Sequence, residues 1–379
     1  MPECRPARPP ISFVGLRLVL RLTPRRKFTV YVVPHNHLDI GFTDYQPKSR
    51  NCKNRNFDRL LEEMRTDPSL RFSADGVWPV EQFLRTRTPA AQKEFLDQVR
   101  AGRISIPAQY ANLMLGGAGL ETMVRSLYAG KALNRTVGQN ADYANITDVP
   151  AYPWAYASVL HAAGVKYLAA GANDDRGPQP LYGRWQTHSP FWWQGPDGEK
   201  VLMAYTRQYS QLWFVCGLPP QEAGCREGLP ALFQTYEEPG YLPDKLLMFG
   251  SQLENTDLIP GEGRFVQDWN AKYAWPRLQL ATFRDYFQAI EREFGDQLET
   301  VRGDFGPYWE DGIGADAQFA ARYRETESRA AAVEALASVA AQLQPQFAAP
   351  LDRLRRLWQD LVLLRRTHLH LLGRLLASA

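Results

Sequence analysis

Short apolar runs alternate with helix-patterned segments along most of this 379-residue chain, and that alternation restricts the fold more than any other feature. Seven runs read as strands: FTVYVV (28–33), LRFSA (70–74), RISIPA (103–108), YANITD (143–148), VKYLAA (165–170), KLLMFG (245–250) and RLQLAT (277–282). Between most of them lie segments with apolar residues at three-to-four spacing. These are FDRLLEEMR (57–65), AAQKEFLDQVRAG (90–102), ETMVRSLYAGKALNR (121–135), WAYASVLHAAG (154–164), FVQDWNAKYAW (265–275) and FRDYFQAIEREFG (283–295). Strand after helix after strand argues for parallel pairing, because the intervening helix returns the chain to the same edge. The expectation is an α/β fold with a seven-stranded (β/α) barrel-like domain. In such folds the chemistry sits on loops at the carboxyl ends of the strands.

Two stretches break the rhythm. FWWQGPDGEKVLMAY (191–205) has a Pro-Asp-Gly turn between two apolar runs and predicts a β-hairpin inserted into the barrel. Beyond Gly314 the chain is Ala-rich and free of Gly and Pro as far as residue 343, which predicts one long helix. Pro345 and Pro350 break it, and 351–376 predicts a second. The expected organisation is a basic leader or tail over 1–26, a barrel domain over 27–310, and a partial helical bundle over 311–379.

Composition excludes more than it identifies. A net charge of +3 is too small to imply nucleic acid, although both ends of the chain are locally basic. No segment reaches the ~18 apolar residues of a membrane span. ISFVGLRLVLRL (11–22) is interrupted by Arg17 and Arg21 and makes a poor signal peptide, so it reads as an unusual leader or a mis-assigned start. The four cysteines show no CxxC spacing, which argues against a zinc ribbon. Cys216 and Cys225 would pair in an exported protein but are expected as free thiols. The cytoplasm is favoured over export, and oligomeric state is left open.

The chemistry is concentrated in VPHNHLDIGF (33–42), directly after the first strand. On an extended backbone residues i and i+2 point the same way, so His35, His37 and Asp39 aim at one point. A His/Asp pair so placed suits zinc or another borderline divalent ion, and the plain alternative is a polar loop with satisfied histidines. Asp148 ends YANITD and is placed for a nucleophile or a ligand; a helix N-cap is the equal alternative.

Four blocks in this order resemble glycoside hydrolase family 38, the α-mannosidase family: PHNHLDIGF, GRISIPAQYANLMLGG, ITDVPAYPWAYASVLHAAGVKYL and RGDFGPYWEDG. The first is similar to that family's H-x-H-x-D-x-G-W signature, with Phe42 in the aromatic place. The third is similar to the segment carrying the nucleophilic Asp, through the Asp and its strand–turn–helix context alone. The likeness spans roughly residues 27–343. It implies a metal-dependent retaining glycoside hydrolase acting on α-mannosides or related glycans, with one divalent ion, usually zinc. His37 and Asp39 would be ligands, Asp148 both ligand and nucleophile, and Phe42 the floor under the sugar. The acid/base would follow KLLMFG, where Gln252 takes the expected carboxylate place, leaving Asp257 ahead of Glu254. Asp304, Glu310 and Asp311 are further acids, with Asp304 expected to be structural. The aromatic supply in Trp185, Trp192, Trp193, Tyr308 and Trp309 fits a sugar-lined cleft, with core the leading reading for each.

One departure concerns the fourth ligand, a His that the family takes from a helical segment reading like L-L-x-Y-D-E-H-T. Here the stretch is WQDLVLLRRTHLHLLG (358–373), which supplies His368 and His370 but sets Arg365 and Arg366 beside them. Two cations next to a divalent ion are electrostatically adverse. Codons for Tyr-Asp-Glu-His-Thr read one base early give Leu-Arg-Arg-Thr-His, the run from Leu364 to His368. A frameshift from about Leu364 onward is therefore expected, and resequencing of the locus tests it. A carbohydrate deacetylase-like metal hydrolase and an inactive sugar-binding remnant are the rival functions.

Overall fold

The computed structural model describes residues 26–364 except 42, 150, 174–187, 238–239, 251–254, 306–313, 315, 345 and 348, together with the backbone of 12–13 and 16–17. All seven expected strands form: β1 (Thr29–Val33), β2 (Phe72–Ser73), β3 (Ile104–Ser105), β4 (Tyr143–Thr147), β5 (Tyr167–Gly171), β8 (Lys245–Phe249) and β9 (Arg277–Leu280). The hairpin is also present, with β6 (Phe191–Gln194) antiparallel to β7 (Lys200–Thr206). β10 (Thr300–Arg302) was not expected from the sequence.

The strands do not pair as one closed seven-stranded sheet. Among the described residues the fold is mixed α/β, with a parallel sheet β8–β1–β9, a five-stranded sheet β10–β6–β7–β5–β4 and a parallel pair β2–β3. The hairpin is part of the five-stranded sheet. β2 and β3 are two residues each, too short to carry a ladder to both neighbours. Single bonds bridge these seams instead: Ser73 N–H to the Pro34 carbonyl at 2.9 Å, and Ala108 N–H to the Tyr143 carbonyl at 2.8 Å.

The helices between the strands are α1 (Gln46–Thr66), α2 (Trp78–Thr86), α3 (Pro89–Arg100), α4 (Leu120–Arg125), α5 (Tyr128–Thr136), α6 (Ala155–Ala162), α9 (Glu262–Lys272) and α10 (Phe283–Phe294). The single helix expected over 121–135 is split into α4 and α5. Ser126 Oγ bonds back to the Met123 carbonyl at 2.7 Å, and the Ser126 carbonyl accepts from Tyr110 N–H at 2.8 Å. Both divert the backbone from the helical ladder. α7 (Gln211–Cys216) and α8 (Glu222–Tyr236) were not foreseen, and α8 carries Pro230 inside it.

Cys216 and Cys225 are joined as a disulfide, which corrects the expectation of free thiols. Gln221 N–H closes on the Cys216 carbonyl at 2.8 Å and turns the chain so that α8 lies on α7. The two long carboxyl-terminal helices are α11 (Ala317–Leu343) and α12 (Leu351–Leu364). No helix among the described residues is long and apolar enough to cross a membrane.

Candidate functional site

The polar residues that meet at one point all leave the carboxyl ends of neighbouring strands. His35 to Asp39 follow β1, Asp75 follows β2, Asn112 lies beyond β3, Asp148 follows β4 and Asn173 follows β5. His37, Asp39 and Asp148 are buried, and one ligand atom from each lies within 4.8 Å of the others. His37 Nε2 is 3.6 Å from Asp39 Oδ1 and 3.6 Å from Asp148 Oδ2. Ligands at zinc-type bond lengths define a tetrahedron whose edges are roughly 3.4 Å. The His/Asp/Asp set therefore fits a divalent ion in both donor chemistry and spacing.

The backbone at Asp148 supports that aim. Its φ is +67°, the one non-glycine residue in the left-handed region among those described. Val149 N–H bonds to the Thr147 carbonyl at 2.9 Å, making a three-residue turn centred on Asp148. Such a turn is rare and costs a kilocalorie or more, so the surroundings must hold it. Asp148 N–H is fixed to the Gly171 carbonyl at 2.8 Å, and Asn173 Nδ2 donates to Asp148 Oδ1 at 3.0 Å. Oδ2 is thereby left facing His37. This turn, rather than a helix cap, is what the YANITD terminus builds.

His37 is oriented from behind. Its Nδ1 lies 2.9 Å from Thr147 Oγ1 and 3.1 Å from Asp75 Oδ2, and its ring packs on Tyr209 at 4.7 Å. A ligating imidazole held through its other nitrogen by a carboxylate is the usual outer arrangement of a metal-binding histidine. Burial alone would push the His37 pKa down, but bonds to Asp148, Asp39 and Asp75 outweigh it and hold the value well above that of a free imidazole. Burial likewise penalises the charged Asp75, yet His35, His37 and the Leu38 N–H keep its pKa far below the usual carboxylate range. His35 is pushed down by its burial. It sits behind the cluster, with Nδ1 3.1 Å from the Ser73 carbonyl and Nε2 3.6 Å from Asp75 Oδ1.

The other sequence candidates divide. Asp257 accepts from Arg55 Nη2 at 2.7 Å, and Arg59 stands 3.6 Å away. That carboxylate is half-exposed and engaged by both guanidiniums. Asp304 accepts from the Trp154 backbone N–H and orients the start of α6. Trp193 is buried against Phe305, and Trp192 Nε1 donates to the Gly295 carbonyl, so both pack in the sheet region. Phe42, Gln252, Glu254, Glu310, Asp311, His368, His370, Trp185, Tyr308 and Trp309 lie outside the described residues. Sequence reasoning missed Asp75, Asn112 and Thr147. Asp75 follows its strand as Asp148 follows YANIT, and that parallel was the signal.

A model of the glycosyl hydrolases family 38 N-terminal domain matches residues 27–311. Human alpha-mannosidase 2C1 is 22% identical over an alignment covering 95% of this chain and 34% of that protein. An alpha-mannosidase from Enterococcus faecalis V583 superposes with a TM-score of 0.72 at 18% identity, covering 90% of this chain and 39% of its own. A family 38 glycosyl hydrolase from Enterococcus faecalis gives a TM-score of 0.63 at 18% identity, covering 89% and 35%. These two structures share the fold, and the chain spans less than two-fifths of the length of each of the three relatives. The family model takes in well over half of the sequence, from the strand that precedes His37 to the residues just before α11, and the chain therefore belongs to glycosyl hydrolase family 38.

Proposed function

We propose that this domain is the catalytic part of a metal-dependent retaining glycoside hydrolase that cleaves α-mannosidic linkages. Family membership and the alpha-mannosidase names of its relatives support the substrate class. The observation that carries the mechanism is the convergence of His37, Asp39 and Asp148, with Asp148 held in a left-handed turn. His37, Asp39 and Asp148 would hold the ion, with His368 as the fourth ligand. Zinc suits this nitrogen and oxygen set. When bound, the ion supplies Lewis acidity and a template for sugar hydroxyls.

Asp148 is the nucleophile: its carboxylate attacks the anomeric carbon as the glycosidic oxygen leaves, forming a glycosyl ester that water then hydrolyses. Retention needs a second carboxyl group roughly 5–5.5 Å away to protonate the leaving oxygen and later to activate water. The Arg55 and Arg59 contacts weigh against Asp257 in that role, so Glu254 is assigned to it. Phe42 is assigned as the floor under the sugar.

The test is trapping with a fluorosugar mannoside, read by peptide mass. An adduct on the peptide bearing Asp148, lost in Asp148→Asn, is expected. A protein that turns over mannosides without forming any such adduct would overturn the nucleophile assignment. Metal analysis should give about one equivalent of zinc or a similar ion, and less than half an equivalent would count against the metal. Glu254→Gln should slow substrates with poor leaving groups by ~10²-fold or more and spare activated aryl mannosides in the first step, whereas Asp257→Asn should not discriminate between them.

A further inference from the structure

Helix α1 buries a polar stripe where an amphipathic helix ordinarily buries leucine. Ser49, Cys52, Lys53 and Asn56 recur at i, i+3, i+4 and i+7, and all are buried. The apolar face resumes at Phe57, Leu60, Leu61 and Met64. A lysine and an amide are costly to bury unless their polar atoms are met, and here they are met from two sides.

One side is the loop after β1. Lys53 Nζ donates to the His37 carbonyl and to Asn36 Oδ1, and Asn36 Oδ1 also accepts from Asn56 Nδ2 at 2.9 Å. The other side is the segment after β8. Asn56 Nδ2 donates to the Thr256 carbonyl at 2.8 Å, and Asn56 Oδ1 accepts from Leu258 N–H at 2.8 Å. Asn255 then reaches back the opposite way. Its Oδ1 accepts from Asp39 N–H at 3.2 Å, and its Nδ2 donates to the Asp39 carbonyl at 2.8 Å and to Ser49 Oγ at 3.0 Å. The side chain of Asn255 grips the Asp39 backbone in both directions, as a paired strand residue would.

We propose that Asn255, backed by Lys53 and Asn56, is a positioning residue that fixes the Asp39 loop and the segment after β8 in one register. This rests on the hydrolase reading above, in which Asp39 is a ligand and Glu254, the residue before Asn255, is the acid/base. Displacement of about 1 Å between reacting groups costs on the order of 10²-fold in rate. The Asn255 amide accepts from one Asp39 backbone group and donates to the other through separate atoms. Asn255→Asp keeps the shape and sets an oxygen against the Asp39 carbonyl, while Asn255→Ser shortens the grip.

The experiment uses the full chain with each variant, measuring affinity for zinc alone by chelator competition, kcat and KM on an aryl α-mannoside, and the pH profile of kcat. Expected are a zinc affinity lower by about 10–100-fold, kcat reduced at least tenfold with KM changed less than twofold, and a displaced limb of the pH profile. Zinc affinity and kcat within twofold of the unmodified protein in either variant would overturn the proposal. So would a lowered Tm with unchanged kcat for the zinc-loaded fraction, since that is what a purely structural role gives. An unmodified protein that binds no zinc and cleaves no mannoside sinks the hydrolase reading and this one together. An active unmodified protein with unaffected Asn255 variants sinks this one alone.

Discussion

The carboxylate of Asp75 accepts from Asn112 Nδ2 at 2.8 Å, from Asn145 Nδ2 at 2.8 Å and from Leu38 N–H at 2.7 Å, and it faces His37 Nδ1 at 3.1 Å. Every partner is a donor, so the site wants a group that only accepts. Asp75→Asn turns one oxygen into a donor facing other donors. Metal affinity should drop about 10–100-fold and stability by about 2–4 kcal/mol; calorimetric titration and thermal melts check both. His37 gives a pH dependence of opposite sense to that of an unpaired buried histidine, whose folded pKa would be lowered. Its folded pKa is raised, so in metal-free protein its stabilisation is complete below the ordinary value near ~6.5 and is lost as pH climbs through the folded value. The Tm of chelator-treated protein should therefore fall from pH 6 to pH 9, and added zinc should flatten that slope. A metal-free Tm that rises over the range would contradict it. The spacing of His37 and Asp39 was legible because two-residue alternation needs only local geometry. Asn112, Asn145 and Thr147 were not legible, because their roles exist only once β3 and β4 stand side by side.

Gly171 ends β5 where the five-stranded sheet meets the three-stranded one. A Cβ there would lie 2.6 Å from Phe249 Cζ and 2.9 Å from Tyr209 Cα. Phe249 ends β8, and Tyr209 packs on His37. Gly171→Ala should push the two sheets apart at the site, costing about 1–3 kcal/mol and loosening the His37 ring. Denaturant melts measure the first effect, and zinc affinity reads the second. A stable variant with unchanged affinity would mean that the junction gives without cost. At this scale the strands were legible in sequence because each is a short apolar run bounded by turns. Sheet closure was not legible, since apolar runs do not encode how many ladder bonds β2 and β3 will make. The amino half of α1 escaped for a different reason: its buried face is polar, and hydrophobic periodicity does not register it. α8 escaped because Pro230 reads as a helix breaker.

The long helix α11 docks against the amino end of α4 with a buried acid, Glu327. Glu327 accepts from Gly119 N–H at 2.9 Å and from the Thr122 hydroxyl, at the amino end of α4, and Arg324 pairs with it at 3.0 Å. Any Cβ at residue 119 would sit 2.6 Å from that carboxylate, so glycine is required for the approach. Two helical turns further along α11, Glu334 pairs with Arg125, which stands 4.8 Å from the Trp358 ring of α12. The two helices were legible from an Ala-rich run and two prolines, but the docking point was not, because Glu327 in sequence reads as one more solvated charge. Glu327→Gln keeps the size and removes the charge that three donors share. It should cost about 1.5–3 kcal/mol, and the loss should be regional. Hydrogen exchange should show α11 and α12 opening at lower free energy while β4 and β5 keep their protection. Equal loss of protection in all four elements would instead mean that the helices and the sheet unfold as one unit, with Glu327 an ordinary contributor to it.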